Sequence, residues 1–218
     1  KQYDANPRFT ISLSNDYVKY DFLKSYKNSS IDNWNANNFY NNEFLSLYDS
    51  YMYDNKDGIF SIHILKQIKN NIINQVKDGQ YVLMNLGIGI FSALEGVKSW
   101  YEVNSLDEYI IMKFSKRRTI ELLLIQKNNF SSYMIVKRKS IGFRIVNYFG
   151  DNKNRNNLLE KIQSIFKGNA ESIDSQIFYY SIGASKEDVD LISSFNSNSI
   201  ELINSFKNLT FDDNCKLN

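Results

Sequence analysis

The sequence predicts an α+β fold in which an antiparallel β-meander of four to six strands packs against an amphipathic helix and C-terminal helices. Two observations lead to this prediction. Four short apolar runs follow one another between residues 109 and 149, and apolar side chains recur at helical spacing in residues 60–77. We divide the 218 residues into an N-terminal tether (1–40) and a single domain (41–218), because a chain of this length fits one core of ordinary size.

The N-terminal region carries weak periodic signals. Residues 9–13 predict a possible strand, whereas the aromatic spacing of residues 17–27 fits neither a helix nor a strand, so both segments are assigned to the tether. Residues 43–53 recover helical spacing and predict a helix.

The clearest predicted helix spans residues 60–77. Isoleucine and valine recur at intervals of four from Ile64 to Val76, and Gly79 stands where a C-terminal cap is expected.

Residues 81–91 are ambiguous between helix and strand. The glycines at 87 and 89 would each cost about 1 kcal/mol inside a helix, so we predict a strand with a bulge. These glycines match no phosphate-binding fingerprint, and nucleotide binding is not predicted.

Four strands form the centre of the predicted sheet. Their short connections favour antiparallel pairing of successive strands, and the run Leu122–Ile125 has no polar face, which predicts a strand covered on both sides. The four runs are 109–114, 119–126, 132–139 and 143–149.

The C-terminal part alternates between helix and strand signals. Residues 158–166 predict a helix ended by Gly168, and residues 177–182 predict a further strand. Capping patterns at Ser185 and Asn198 predict two short helices.

Charge is distributed unevenly along the chain. The formal net charge is only +2, which speaks against a nucleic-acid binder. Between residues 106 and 150, however, nine Lys or Arg face three acids, and the meander should gather most of these cations at one sheet edge. The alternative is that they protect this edge from aggregation. The predicted binding patch consists of Lys113, Lys116, Arg117, Arg118, Lys137, Arg138 and Lys139.

No catalytic residue is predicted. His63 is the only histidine, and we interpret it as a structural residue because no oriented partner is evident. Glu108, Glu121 and Lys127 loosely resemble a nuclease set, but the acid-x-Lys spacing is missing. We therefore expect a protein that is not an enzyme.

No metal or cofactor is expected either. Residues 54–58 imitate part of a calcium loop, but Tyr53 and Ile64 occupy positions where carboxylates are needed. A helix-initiating turn explains the same residues. The single cysteine, Cys215, excludes an intrachain disulfide and a cysteine-based metal cluster.

Composition suggests a source and a location. The chain has 29 Asn, 25 Ile, 15 Tyr and 15 Phe but one Pro, a bias that AT-rich codons produce. This bias, the polar aromatic N-terminal segment and the near-absence of cysteine resemble the mature part of a Borrelia-type spirochaetal surface lipoprotein. The resemblance implies a removed leader, an acyl anchor and a domain exposed at the outer membrane. A cytoplasmic location is the alternative.

Two functions follow as expectations. The first is a surface-exposed, lipid-anchored adhesion module whose basic edge binds an anionic host macromolecule, either a glycosaminoglycan or an acidic protein. The alternative is a carrier that holds a small apolar ligand or lipid between the sheet and the helix. The sequence leaves the oligomeric state open.

Overall fold

The computed structural model describes residues 8–24, 40–55, 58–169, 173–194 and 199–204. Within these ranges the chain is mixed α+β, as predicted, with five α-helices and with sheets of two, three and six strands. None of the helices described is long and apolar enough to cross a membrane. The helices are α1 (Asn42–Leu47), α2 (Lys66–Asp78), α3 (Gly89–Trp100), α4 (Asn152–Phe166) and α5 (Lys186–Ser193). The strands are β1 (Arg8–Leu13), β2 (Val18–Lys24), β3 (Tyr48–Asn55), β4 (Gly58–Leu65), β5 (Val82–Ile88), β6 (Glu108–Ser115), β7 (Thr119–Gln126), β8 (Asn129–Arg138), β9 (Phe143–Phe149), β10 (Gln176–Ile182) and β11 (Ile200–Leu202).

The six-stranded sheet has the order β11-β10-β6-β7-β8-β9. Strands β6 to β9 are successive antiparallel neighbours, and they lie at the four apolar runs of the sequence. Strand β10 returns parallel to β6, and β11 lies parallel to β10. The β7 segment Leu122–Ile125 is buried on both faces, as expected for a strand without a polar face.

Two apolar layers cover this sheet. On one face, α4 packs through Leu158, Ile162 and Ile165. On the other face lie α3 and the small antiparallel sheet β2-β4-β3. Aromatic rings fill the space between the two sheets, where the Phe60 and Phe130 centroids are 4.6 Å apart. The large sheet is thus the middle layer of the fold.

Each half of the chain has several strands, then a helix, and then a strand that lies parallel to the first strand of that half. In the first half, β1, β2 and β4 are followed by α2 and then by β5, which lies parallel to β1. In the second half, β6, β7, β8 and β9 are followed by α4 and then by β10, which lies parallel to β6. We call these the first unit (8–88) and the second unit (108–182). The first unit contains an insertion, α1 and β3, between β2 and β4.

The predicted helix at 60–77 begins too early, because residues 60–65 belong to β4. This strand lies between β2 and β3, and its first seven residues are all buried. Pairing on both sides outweighs the local four-residue period, which happens to run from β4 into α2.

In three other segments, pairing with one neighbouring strand gives a structure that differs from the sequence prediction. In the segment predicted as a helix over 43–53, helix α1 ends at Leu47 and the remainder forms β3. The second short C-terminal helix was predicted from Asn198, which lies outside the described residues, and the described residues Ile200–Leu202 form a strand that pairs with β10. Residues 18–24, interpreted as tether, form β2.

Residues 81–91, which were predicted to form a strand with a bulge, instead form a strand and the start of a helix that meet at Gly89. Strand β5 ends at Ile88 and α3 begins at Gly89, whose φ is +43°. A Cβ at that position would lie 2.8 Å from the Asn15 Oδ1 atom. Gly89 therefore permits the backbone conformation and the close approach of the 15–17 turn.

Candidate functional site

The predicted basic patch lies at one end of the six-stranded sheet. Thr119 pairs with Lys137, so the 116–118 turn adjoins the end of β8. Arg117 and Arg118 have φ angles of 59° and 57°, and this left-handed turn presents both side chains to solvent. The meander thus brings residues 116–118 and 137–139 to the same end of the sheet.

Lys113 is not part of the exposed surface. Its side chain is buried on the face of β6 that points toward the small sheet, and its Nζ lies 2.8 Å from Glu121 Oε1. Strand alternation places Lys113 among Tyr109 and Ile111, where a free cation would be unstable. The pairing neutralises it.

Two further cations of the patch are paired with acids of α5. Arg118 Nη2 lies 3.1 Å from Glu187 Oε2, and Arg138 Nη2 lies 2.5 Å from Asp188 Oδ1. Asp188 also accepts a hydrogen bond from the Ser185 hydroxyl. Ser185 also accepts a hydrogen bond from the Asp188 N–H, in line with the capping role predicted from the sequence. The pairing of the two acids with Arg118 and Arg138 was not predicted, because only the tertiary fold brings α5 to this edge.

A pocket of about 540 Å³ opens beside this end of the sheet. It lies between the turn at 139–142 and the C-terminal turn of α4. Phe143 and Phe166 contribute aromatic walls, with centroids 5.0 Å apart at 73°. The cations that line it are Arg118, Arg138, Lys139 and Lys167.

A chain of buried polar groups connects the two units. The Tyr133 hydroxyl donates to Glu121 Oε2 at 2.9 Å and accepts from Asn15 Nδ2 at 3.1 Å. The Tyr20 hydroxyl donates to Asn15 Oδ1 at 2.5 Å. Burial, followed by the charge of Glu121, raises the pKa of Tyr133 far above its ordinary value, and burial likewise raises the pKa of Tyr20. Both tyrosines therefore remain protonated donors.

His63 sits in an aromatic environment in β4. Its Nδ1 is 2.8 Å from the Ser50 hydroxyl, and Tyr40 and Phe44 contact its ring edge-on. Only 2% of the residue is exposed, and Nε2 has no hydrogen-bond partner in the described part of the chain. Burial is the main cause that lowers the pKa of His63 below its ordinary value. This geometry suits a neutral structural histidine and gives a substrate no access.

The residues once considered as a nuclease set are separated. Glu108 pairs with Gln126 and Glu121 pairs with Lys113 in the β6–β7 register, so the two carboxylates lie five strand positions apart, roughly 17 Å. That distance is too large for one metal ion. Across the described ranges, no group of three or more His, Cys, Asp or Glu residues could hold a metal. Of the calcium-like loop 54–58, residues 56 and 57 lie outside the described residues.

Glu108 instead belongs to a second polar cluster. It accepts hydrogen bonds from Lys161, Ser175 and Gln126, the last at 2.8 Å. Burial by itself raises the pKa of Glu108, but these hydrogen bonds and the Lys161 charge outweigh burial and lower it. The cluster borders an open polar pocket of about 590 Å³.

An apolar surface lies along β5. Val82 and Met84 are 40% and 57% exposed, and among the described residues β5 pairs with β1 alone. The register with β1 shifts at Met84, which has no partner opposite it. The sequence analysis predicted the strand but not its exposure, although ten residues without a charge (81–90) were a visible signal.

The chain was compared with known proteins. No protein-family model and no curated protein matches it. Among solved structures it is similar to a PilM-PilN type IV pilus biogenesis complex at 10% identity and a TM-score of 0.47, covering 92% of this chain and 70% of that one. It is also similar to the cytoplasmic domain of EpsL, an inner membrane component of the type II secretion system of Vibrio cholerae, at 6% identity and a TM-score of 0.36, covering 82% and 63%. A third is a Bacteroides thetaiotaomicron protein with an actin-like ATPase fold and unknown function, at 9% identity and a TM-score of 0.35, covering 92% and 71%.

These findings correct the functional expectations. The likenesses are to pilus and secretion machinery and to an actin-like ATPase fold, not to outer-surface antigens. The predicted adhesion module and its partner, a glycosaminoglycan or acidic host protein, are wrong. The alternative of a lipid carrier is wrong as well, and its expected ligand space is filled by aromatic rings such as Phe60 and Phe91, 5.6 Å apart.

Proposed function

We propose that the protein is a non-catalytic assembly component that binds an extended segment of a partner protein along β5. The observation that carries this proposal is the incomplete two-stranded sheet formed by β1 and β5. Parallel strands normally belong to larger sheets that are covered on both faces, and isolated two-stranded ribbons have marginal stability. A further strand would complete the sheet.

The side chains of β5 suit such a partner. Val82 and Met84 are exposed on a strand of seven residues, and no charged residue or proline interrupts residues 81–90. Charges and prolines are the usual means of blocking an open edge. Strand β9, at the edge of the large sheet, does carry an exposed cation, Arg144.

The chemistry of the partner segment follows from this edge. Seven residues of strand span roughly 23 Å, so the segment should be extended and of similar length. It should present apolar side chains at alternate positions toward Val82 and Met84. Methionine adapts its shape readily and is favoured on such binding surfaces.

The proposal rests on the exposed edge of β5 and does not draw on the structural likenesses. It describes a role in a multiprotein assembly, and it suits the cytoplasmic location that the sequence analysis held as an alternative. The contacts between the two units support the rigid presentation of β5, because α3 follows β5 directly and packs on β6.

Site-specific photocrosslinking tests the proposal. A benzoyl-phenylalanine at Met84 should crosslink a partner in cells of the source organism, whereas the same group at the exposed α2 residue Asn74 should not. Mass spectrometry of the crosslinked peptide should identify a partner segment whose sequence has apolar residues at alternate positions. A synthetic peptide of that segment should bind the purified protein, as measured by fluorescence anisotropy.

Two substitutions at Met84 provide the matched comparison. Met84→Lys should weaken peptide binding at least tenfold, because it places a charge on the edge, while Met84→Leu should bind as wild type. Both variants should retain the thermal stability of wild type within about 0.5 kcal/mol, since the site is exposed. Equal peptide binding by Met84→Lys and wild type would refute the role of β5.

A further inference from the structure

The pocket beside the basic end of the large sheet combines cations with an aromatic wall. Arg118, Arg138, Lys139 and Lys167 line it, and none of the described residues that line it is acidic. Its volume of about 540 Å³ is within the range of small-ligand sites, roughly 300–1,000 Å³. The pocket belongs to the second unit and shares no residue with β5.

Arg138 is held in place from two directions. Its guanidinium carbon lies 5.4 Å from the centroid of the Phe166 ring, a cation–π distance. Its Nη2 contacts Asp188 Oδ1 at 2.5 Å. A guanidinium has five N–H donors, so those not engaged by Asp188 are available to an anion without further ordering of the side chain.

The charge balance at the pocket is positive. Glu187 and Asp188 offset Arg118 and Arg138 from outside the lining, which leaves Lys139 and Lys167 to set the local charge. Both lysines are exposed. A multi-oxygen anion can accept hydrogen bonds from several of these groups at once.

The C-terminus of α4 does not cancel this attraction. The last carbonyls of a helix normally repel anions, but here they accept backbone hydrogen bonds. The N–H of Lys167 donates to Gln163 O at 3.1 Å, that of Gly168 to Ile165 O at 3.0 Å, and that of Asn169 to Ser164 O at 2.9 Å.

The aromatic wall adds a preference for a flat apolar group. Phe143 is partly exposed and meets the Phe166 ring at 73° with centroids 5.0 Å apart, so a ligand ring can pack against Phe143. Phosphate alone would not contact Phe143, and an uncharged ring would not contact the cations.

We propose that this pocket is a binding site for a small organic phosphate that carries an aromatic ring. The phosphate contacts Arg138, Lys139 and Lys167, and the ring packs on Phe143.

Titration with three probes tests each half of the site. Phenyl phosphate, inorganic phosphate and phenol are titrated into ¹⁵N-labelled protein, and amide shifts are followed by NMR. Phenyl phosphate should bind saturably, with a Kd at least tenfold below that of either other probe. The shifted amides should be those of the 139–143 turn and of Lys167 and Gly168.

Two double lysine variants test whether Lys139 and Lys167 contribute to phenyl phosphate binding. Lys139→Ala with Lys167→Ala should weaken phenyl phosphate binding about two- to twenty-fivefold, since each exposed contact contributes about 1.4- to fivefold. Lys77→Ala with Lys153→Ala removes two exposed lysines from other helix ends and should leave the Kd unchanged. The site assignment is overturned if phenyl phosphate binds no more tightly than inorganic phosphate, if the shifts lie elsewhere, or if both double variants behave alike.

Discussion

Replacement of Lys113 by Met tests the contribution of the buried ion pair between Lys113 and Glu121 to stability. The Lys113 and Glu121 side chains are only 9% and 3% exposed, and their Nζ and Oε1 atoms are 2.8 Å apart. Methionine has a similar length and can occupy the same apolar surroundings. The substitution therefore leaves Glu121 buried without a cation, while its hydrogen bond from Tyr133 remains.

The expected cost is large because a buried charge loses its partner. Removal of one member of a buried pair destabilises a protein by about 3–5 kcal/mol. For a chain of this size, 1 kcal/mol changes Tm by about 2–4 °C, so Lys113→Met should lower Tm by roughly 6–20 °C. The double variant Lys113→Met, Glu121→Gln should recover most of this loss, because an amide oxygen still accepts from Tyr133 and no charge remains buried.

Thermal and urea unfolding, followed by far-UV circular dichroism, measure these differences. Arg118→Met is the matched control, since Arg118 and Glu187 form an ion pair with side chains 48% and 72% exposed. Such exposed pairs contribute about 0–1 kcal/mol. If Lys113→Met were no less stable than Arg118→Met, or if the double variant were less stable than the single one, the assigned burial of this pair would be wrong.

Three further predictions concern single side chains: Glu108 is half-buried, and His63 and Tyr109 are buried. The folded-state pKa of Glu108 is lowered, so its contribution to stability is present above the unfolded pKa and is lost as pH falls through the folded pKa. Acid titration of unfolding should show the difference between wild type and Glu108→Gln shrinking below pH about 4.3. The pKa of His63 is also lowered, so wild type should lose stability as pH falls below about 6.5. Urea midpoints of His63→Asn should lack this decline, and an identical pH profile would contradict the burial of the ring. Finally, the buried Tyr109 hydroxyl has no hydrogen-bond partner among the described residues, and Tyr109→Phe should be neutral or stabilising by about 1 kcal/mol; a clear loss of Tm would reveal a hydrogen bond to this hydroxyl.

The meander could be predicted because the sequence features that specify it lie close together in the chain. Strand alternation, short connections and the apolar run Leu122–Ile125 all lie within 41 residues, 109–149, and each agrees with the others. The helix predicted to begin at Phe60 failed for the opposite reason. Its first turn pairs with β2, about 40 residues earlier in the chain, and a local period carries no information about such a partner.

The ion pairs of the basic patch could not be predicted either, because the acids that form them are distant in the sequence. A count of charges treats every lysine and arginine as exposed, but Arg118 and Arg138 meet acids 69 and 50 positions further along the chain, Glu187 and Asp188. Lys113 was predicted to belong to the exposed patch, but it shares a strand face with apolar residues, a position that alternation along β6 could have indicated. Its neutralisation by Glu121 required the register of β6 with β7.

Side chains fill the space between the two units, and both proposed binding sites lie at the surface of the protein. Between the two units, the Tyr133 ring lies 5.1 Å from that of Tyr20 and 5.6 Å from that of Phe91, so the units are joined by packed side chains where a cleft could otherwise have held a ligand. The exposed strand β5 belongs to the first unit, and the phosphate pocket belongs to the second. Because they share no residue, Met84→Lys should leave phenyl phosphate binding intact, and the Lys139 and Lys167 variants should leave partner binding intact. Loss of both activities in either variant would indicate coupling through the Glu121–Tyr133–Asn15 chain, which is the polar connection between the units.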